Sequence, residues 1–247
     1  MQRLWIFSDL HLTEPSEYLY RSFLQALDEP ELSDTVVFAG DIFDLFVGNS
    51  ARFSSKNAPF FNQLAKLHLR GVKLFYIEGN HDFHLKEILE PHGVQVVKDE
   101  ITLTTERKKR IYIAHGDLVD QTDVNYLRLR KIFRSPVLRT LVDVAPGSLI
   151  ETIAGKLSRP LSQQHSELPE KWQPEDREKL RKKYRNFARQ KTVQGGEADV
   201  VILGHCHDLD ELPPFYWNMG YPPQHRQFLF YDAATNEVKR REFPRIS

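Results

Sequence analysis

Five short clusters of chemically capable residues punctuate the chain. They are Ser8-Asp9-Leu10-His11, Gly40-Asp41-Ile42-Phe43-Asp44, Gly79-Asn80-His81-Asp82, His115-Gly116-Asp117 and Gly204-His205-Cys206-His207. Brought together, Asp9, His11, Asp41, Asn80, His115, His205 and His207 would offer two carboxylates, one amide oxygen and four imidazoles. A single structural zinc takes four ligands and often thiolates, so this set is too large and too hard for one. It suffices for two divalent ions that share a carboxylate. The spacing agrees: His11 follows Asp9 by two residues and His207 follows His205 by two, which puts each pair on one side of an extended segment. Taken singly, each cluster reads as a tight glycine turn, and GHCH as a pair of surface histidines. What singles them out is that all five occur in order, each directly after an apolar β-run.

Those runs are the elements that must position the chemistry. Residues 3–7 (RLWIF), 35–39 (TVVFA), 72–77 (VKLFYI), 110–114 (RIYIA) and 199–203 (DVVIL) are rich in β-branched and aromatic residues. Helical spacing of apolar residues over 16–27 and 59–69 separates the first three, a pattern that predicts βαβ units and a parallel sheet. Side chains at the carboxyl ends of neighbouring parallel strands converge on one crevice. Residues 94–97, 100–104 and 110–114 lie close together, with a charged turn between the last two, and read as antiparallel pairing. The tail reads as a final meander. Between Asp123 and Val193 no strand is evident, and Pro136, Pro146, Pro160 and Pro169 punctuate a helical pattern. The expected organisation is an α/β core of residues 1–122 and 194–247 carrying a helical insertion of residues 123–193.

Composition narrows the class. The 247 residues carry 34 Lys/Arg and 34 Asp/Glu, a net charge of zero, and one cysteine. One cysteine excludes an internal disulfide and fits a reducing compartment. No apolar run reaches the length of a spanning helix, and the N-terminus lacks a signal-peptide core, so a cytoplasmic protein is expected. Cys206 reads as a packing residue rather than a nucleophile. The zero total conceals an asymmetry: residues 124–192 hold 16 Lys/Arg against 7 Asp/Glu, a net of +9, which leaves −9 on the rest.

The order D-x-H, GDxxD, GNHD, HGD, GHxH, spanning residues 8 to 207, resembles the calcineurin-like metallophosphoesterase superfamily. The resemblance implies a four-layer αββα sandwich with its site at the strand ends. It implies one metal held by Asp9, His11, Asp41 and His207, and a second held by Asp41, Asn80, His115 and His205, with Asp41 bridging. The mixed oxygen and nitrogen donors suit Mn2+, with Fe2+ or Zn2+ as alternatives. Two such ions about 3.5–4 Å apart lower the pKa of a shared water and clamp phosphoryl oxygens, which is chemistry for hydrolysing a phosphate ester. Asn80 and His81 then flank the reacting group. His81 can donate to the phosphoryl group or protonate the leaving oxygen, and Asp44 can pair with His81 and fix its tautomer. The plainer readings are that His81 supports Asn80 and that Asp44 caps a turn.

Within the superfamily, SDLHL, GDIFDLFVG, GNHDF, HGDLVDQTDVNYLRLRKIFRSP and GHCH resemble the UDP-2,3-diacylglucosamine pyrophosphatases of lipid A synthesis. That resemblance implies a helical lid over the site, with Asp123, Tyr126 and Arg130 as substrate contacts. It implies attack on the α-phosphate of UDP-2,3-diacylglucosamine to give UMP and 2,3-diacylglucosamine 1-phosphate. The best-known branch has GNRDF where this chain has GNHDF; His81 permits acid catalysis where arginine offers only charge. The alternative is a phosphodiesterase or pyrophosphatase of the same superfamily acting on another nucleotide or phosphodiester. A lid of net +9 suits a diphosphate and an anionic membrane surface. The apolar residues from Leu127 to Val142, interleaved with Arg128, Arg130, Lys131, Arg134 and Arg139, read either as an amphipathic helix for acyl chains or a bilayer or as a core-packed helix. The charged run 179–191 reads as a solvated helix face. Nucleic acid is disfavoured as a partner, because aromatic interleaving for base stacking is absent. The expected location is the cytoplasm, peripheral on the cytoplasmic face of the inner membrane.

Overall fold

The computed structural model describes residues 1–48, 51–144 and 172–246. In chain order the main elements are β1 (Arg3–Phe7), α1 (Tyr18–Ala26), β2 (Thr35–Ala39), β3 (Phe46–Val47), α2 (Ala51–Lys56), α3 (Ala58–Leu69), β4 (Lys73–Ile77), β5 (Asp82–Phe83), α4 (Lys86–Leu89), β6 (Val94–Val97), β7 (Glu100–Thr104), β8 (Arg110–Ala114), α5 (Val124–Phe133), α6 (Pro136–Val144), α7 (Pro174–Arg189), β9 (Val200–Leu203), β10 (Glu211–Leu212), β11 (Tyr216–Asn218), β12 (Gln227–Asp232) and β13 (Glu237–Glu242).

The parallel strands divide between two sheets, as the resemblance to a four-layer sandwich implies. A six-stranded sheet runs β13-β12-β1-β2-β4-β6, and a five-stranded sheet runs β10-β11-β9-β8-β7. β1, β2, β4 and β6 are mutually parallel, as are β8, β9 and β11. The charged turn pairs β7 with β8 as an antiparallel hairpin, as its sequence predicts. β6 departs from expectation: it joins the first sheet alongside β4 rather than pairing with β7. The tail is divided too, with β11 extending the second sheet and the β12–β13 hairpin closing the first.

Alternation along the strands builds the layers. Leu4, Ile6, Val37 and Ala39 point one way and meet Ile111, Ile113, Val200 and Ile202 of the second sheet. Trp5, Phe7, Val36 and Phe38 point the other way, onto Phe23 of α1 and Phe60, Leu64 and Leu67 of α3. Tyr112, Val201 and Leu203, on the outer face of the second sheet, bury Tyr184 and Ala188 of α7. The result is a four-layer αββα sandwich. Each buried Val, Leu, Ile or Phe contributes about 1.5–3 kcal/mol, so these interfaces, not ion pairs, dominate cohesion. α7 falls within the residues expected to form a separate insertion, yet its apolar side is the sandwich's outer layer. The stripe from Leu127 to Val142 is two helices, α5 and α6, broken at Arg134-Ser135. Most of the expected lid between them and α7 lies outside the described residues.

Candidate metal centre

The parallel strands of both sheets deliver their carboxyl ends to one edge, and each ligand candidate sits one to four residues past its strand. The loops are laced together there. Asp9 N donates to the Gly40 carbonyl at 3.1 Å, His11 N to Asp41 O at 3.1 Å, and Gly204 N to His115 O at 2.7 Å. Asp9, His11, Asp41, His205 and His207 all adopt positive φ, between 45 and 68°. Non-glycine residues visit that region seldom, and clusters of such strain mark functional sites. Three of the neighbouring glycines make room for donors. A Cβ on Gly79 would overlap Asp41 Oδ1, one on Gly204 would overlap Asp9 Oδ2, and one on Gly40 would overlap the His115 ring.

All seven expected ligands come together. His11 Nε2 lies 3.1 Å from His207 Nε2, which is 3.5 Å from Asp9 Oδ1. His115 Nε2 lies 3.2 Å from His205 Nδ1, and Asn80 Oδ1 is 2.9 Å from both. Between the two groups, Asp41 Oδ2 is 3.5 Å from His115 Nε2 and 3.9 Å from His11 Nε2. Its other oxygen is taken by His81 N at 2.9 Å. Asp9–His11–His207 and Asp41–His115–His205 each converge closely enough to hold an ion.

Donor chemistry provides the fit test. Imidazole nitrogens facing each other at about 3 Å beside an amide oxygen have more lone pairs than protons to share, an arrangement a cation satisfies. His115 donates through Nδ1 to the Ala39 carbonyl at 3.1 Å, which frees Nε2 to ligate. The neighbouring carboxylates favour positive charge at this point, whether a proton's or a cation's. Burial pushes the His115 imidazole down, but the Asp41 carboxylate, with Asp9 and Asp117, outweighs it and lifts it to about 10. Burial opposes the Asp41 carboxylate, yet His115, His81 and His11 hold it well below the usual range. Burial dominates at His11 and takes it down to about 3. The residues fit a pair of divalent cations.

His81 stands over this group, its ring 4.9 Å from that of His11 and nearly perpendicular to it. Its partner differs from the expected one. Nδ1 donates to the Asp44 backbone carbonyl at 2.8 Å, while the Asp44 carboxylate is largely exposed and lies 3.9 Å from His11 Nδ1. The carbonyl fixes the tautomer in the carboxylate's place. Burial works against a charged His81, but Asp41, the Asp44 carbonyl and Asp44 raise it above the ordinary histidine value.

The three expected substrate contacts lie along α5, Asp123 and Tyr126 at its start and Arg130 in its last turn. Asp123 caps that helix, accepting from Tyr126 N at 2.9 Å. Tyr126 donates its hydroxyl to Asp117 at 2.6 Å, and Arg130 bridges Asp117 and Asp99 at 2.6 and 2.7 Å. Asp123 and Tyr126 also line a cleft of about 50 Å³ beside His205, together with Trp172 and Tyr184. Cys206 is half-buried, takes a hydrogen bond from Asn218 Nδ2 at 3.1 Å, and has its thiol pushed up by burial.

Several site residues have no role assigned in the sequence reading. Asp82, the last letter of GNHD, accepts from Tyr76 Oη at 2.5 Å, Gly79 N at 2.7 Å and Ile42 N at 2.9 Å, and so ties two ligand loops together. Burial, then Asp41, raises its carboxyl to about 7. Asp117 ends HGD and anchors α5. Tyr221, stacked on His207 at 4.6 Å, sits in a loop with no motif.

An αββα sandwich whose two sheets converge on two donor groups sharing one carboxylate defines a metallophosphoesterase. The chain belongs to the calcineurin-like phosphoesterase family, whose sequence profile matches residues 2–209. Proteins named UDP-2,3-diacylglucosamine hydrolase are similar to it. That of Psychromonas ingrahamii is 28% identical over 159 residues, covering 64% of each chain. That of Photorhabdus laumondii is 30% identical over 156 residues, covering 61% of this chain and 62% of the relative. The match thus spans just under two thirds of those two relatives. The protein of Neisseria gonorrhoeae is 28% identical over 210 residues, covering 84% of this chain and 83% of the relative.

Proposed function

We propose that the chain hydrolyses the diphosphate of UDP-2,3-diacylglucosamine, adding water across the P–O–P link to give UMP and 2,3-diacylglucosamine 1-phosphate. Two donor groups sharing Asp41 carry the reading, and the names of the similar proteins supply the substrate. Asp9, His11, Asp41 and His207 would hold one ion, and Asp41, Asn80, His115 and His205 the other. Mn2+ is the proposed metal, with Fe2+ or Zn2+ as the alternatives. When bound, such a pair activates water and clamps phosphoryl oxygens. His81, with Nδ1 tied to the Asp44 carbonyl, has Nε2 left to donate to the phosphoryl group or the leaving oxygen. Asp123 and Tyr126 would face the substrate from the cleft beside His205 and Arg130 from the neighbouring pocket beside Asn80, and Asp117 holds Tyr126 and Arg130 in place.

Incubation of the purified chain with UDP-2,3-diacylglucosamine and Mn2+ tests this reading, and UMP is the expected product. A second reading, hydrolysis of another nucleotide or phosphodiester, is favoured by His81 standing where the best-known branch has arginine. Turnover of small diesters with none of the lipid would select it. The proposed acylated substrate supports a peripheral location on the cytoplasmic face of the inner membrane, and no helix among the described residues is long and apolar enough to cross a membrane. Val124, Ile132 and Val137 are exposed on α5 and α6 beside Arg128 and Lys131, a surface suited to anionic lipid. Absence of co-sedimentation with anionic vesicles would reject that placement.

A further inference from the structure

Arg134 belongs to neither donor group, yet its side chain is only 5% exposed. A buried guanidinium is tolerated only where its hydrogen bonds are met, and here they are met by the backbone next to a metal ligand. Nη2 donates to the carbonyls of Glu78 at 3.0 Å and Gly79 at 2.9 Å, and Nη1 donates to that of Lys98 at 2.7 Å. The Glu78 and Asp99 carboxylates lie 3.6 and 3.4 Å from Nη1. Glu78 and Gly79 are the two residues before Asn80.

The loop needs an external hold. Gly79 cannot carry a side chain, because a Cβ there would overlap the shared carboxylate of Asp41, so the peptide leading into Asn80 keeps glycine's conformational freedom. Asp82 grips it on the N–H side, accepting from Gly79 N at 2.7 Å. Arg134 grips the carbonyls. The amide oxygen of Asn80 is a neutral donor, and its value as a ligand depends on being held where His115 and His205 already point.

We propose that Arg134 is a positioning residue for one ion only: through the Glu78 and Gly79 carbonyls it fixes Asn80, and so sets the affinity of the ion shared by Asn80, His115 and His205. The ion of Asp9, His11 and His207 does not depend on it. The proposal rests on the two-ion reading of the centre and not on the identity of the substrate. It also makes the α5–α6 junction, which supplies Arg134, part of the machinery that loads metal.

Mn2+ binding to the full chain, followed by equilibrium dialysis and electron paramagnetic resonance, tests it. The wild-type chain is expected to bind two ions with the signature of a coupled pair. In Arg134→Gln one ion remains at wild-type affinity and the second weakens about 10-fold or more, the range for losing a group that orients a ligand, so the coupled signature gives way to that of isolated Mn2+. Arg134→Lys keeps the charge without the planar fork. It is expected to weaken the same ion a few-fold, and it carries the test if the glutamine variant does not fold. Arg110→Gln breaks an ion pair with Asp199 at the far end of β8 and is expected to keep both ions. Wild-type affinity for both ions in Arg134→Gln or Arg134→Lys, even with a lowered melting temperature, overturns the proposal. A wild-type chain that binds fewer than two ions overturns the two-ion reading and the proposal with it.

Discussion

At the scale of single residues, the centre is built by what is missing as much as by what is present. Gly79 lies so close to Asp41 Oδ1 that one methyl group has no space, and the atom in its way is the carboxylate shared by both donor groups. The neighbouring Asp41 backbone nitrogen and Asp82 carboxylate are close enough to oppose relief. Gly79→Ala is therefore expected to displace Asp41 and weaken both ions. Metal content after gel filtration should fall well below that of the wild type, and a variant that retains two ions would show that the loop yields without cost to the carboxylate. His81 makes the opposite case. It contributes a ring above the donors but belongs to neither of the two assigned ligand sets. His81→Ala should lower turnover by about 10²-fold or more with both ions retained, and steady-state rates read beside metal analysis separate the two effects.

At the scale of elements, the arginines of the helices act as fasteners for ligand loops. Arg177 and Arg181, one turn apart on α7, both donate to Asp208, the residue after His207; the Arg177 bonds are 2.9 and 2.6 Å. Asp208 is 1% exposed, and the two arginines are about a quarter exposed. Asp208→Asn would leave two guanidiniums facing a neutral amide. A loss of about 2–3 kcal/mol is expected, below the range for a fully buried pair because the arginines keep some water. Urea unfolding measures it, and a change under about 0.5 kcal/mol would mean the loop is held by other contacts. This fastening was not legible in the sequence. The run 179–191 has the period and charge of a solvated helix face, and nothing local shows that Asp208 and Asp210, far along the chain, lie opposite it. The ligands were legible because each follows an apolar β-run within a few residues, a local signal. That there are two sheets was legible only through the resemblance to a four-layer sandwich, since parallel strands buried on both faces carry no mark of which sheet they join. β6 was misplaced for the same reason: proximity in sequence to β7 competed with pairing to β4, and only burial in three dimensions decides between them.

At the scale of the whole molecule, the zero net charge is a pairing rather than a coincidence. Among the described residues, Arg130 and Arg134 face Asp99, Asp117 and Glu78, Arg139 faces Glu87, and Arg185 faces Asp210. Much of the basic surplus of the helices is thus spent on acids of the sandwich and is not free to attract a membrane or a polyanion. Buried Asp9 and Asp41 and four imidazoles meet instead at the edge common to both sheets. Two cations held there would together draw on loops from β1, β2, β4, β8 and β9, so they would stabilise the folded chain as a unit and have no comparable site in the unfolded one. An ion present at a thousand times its dissociation constant adds about 4 kcal/mol. For a chain of this size each kcal/mol raises the melting temperature by about 2–4 °C. Stripping the metal with EDTA should therefore lower the melting temperature by about 8–16 °C for each ion removed, and adding back Mn2+ should restore it. Calorimetry on the chelated and reloaded protein reads the shift directly. A melting temperature indifferent to both treatments would mean that the convergence of these loops is maintained by packing alone and that the centre does not load metal.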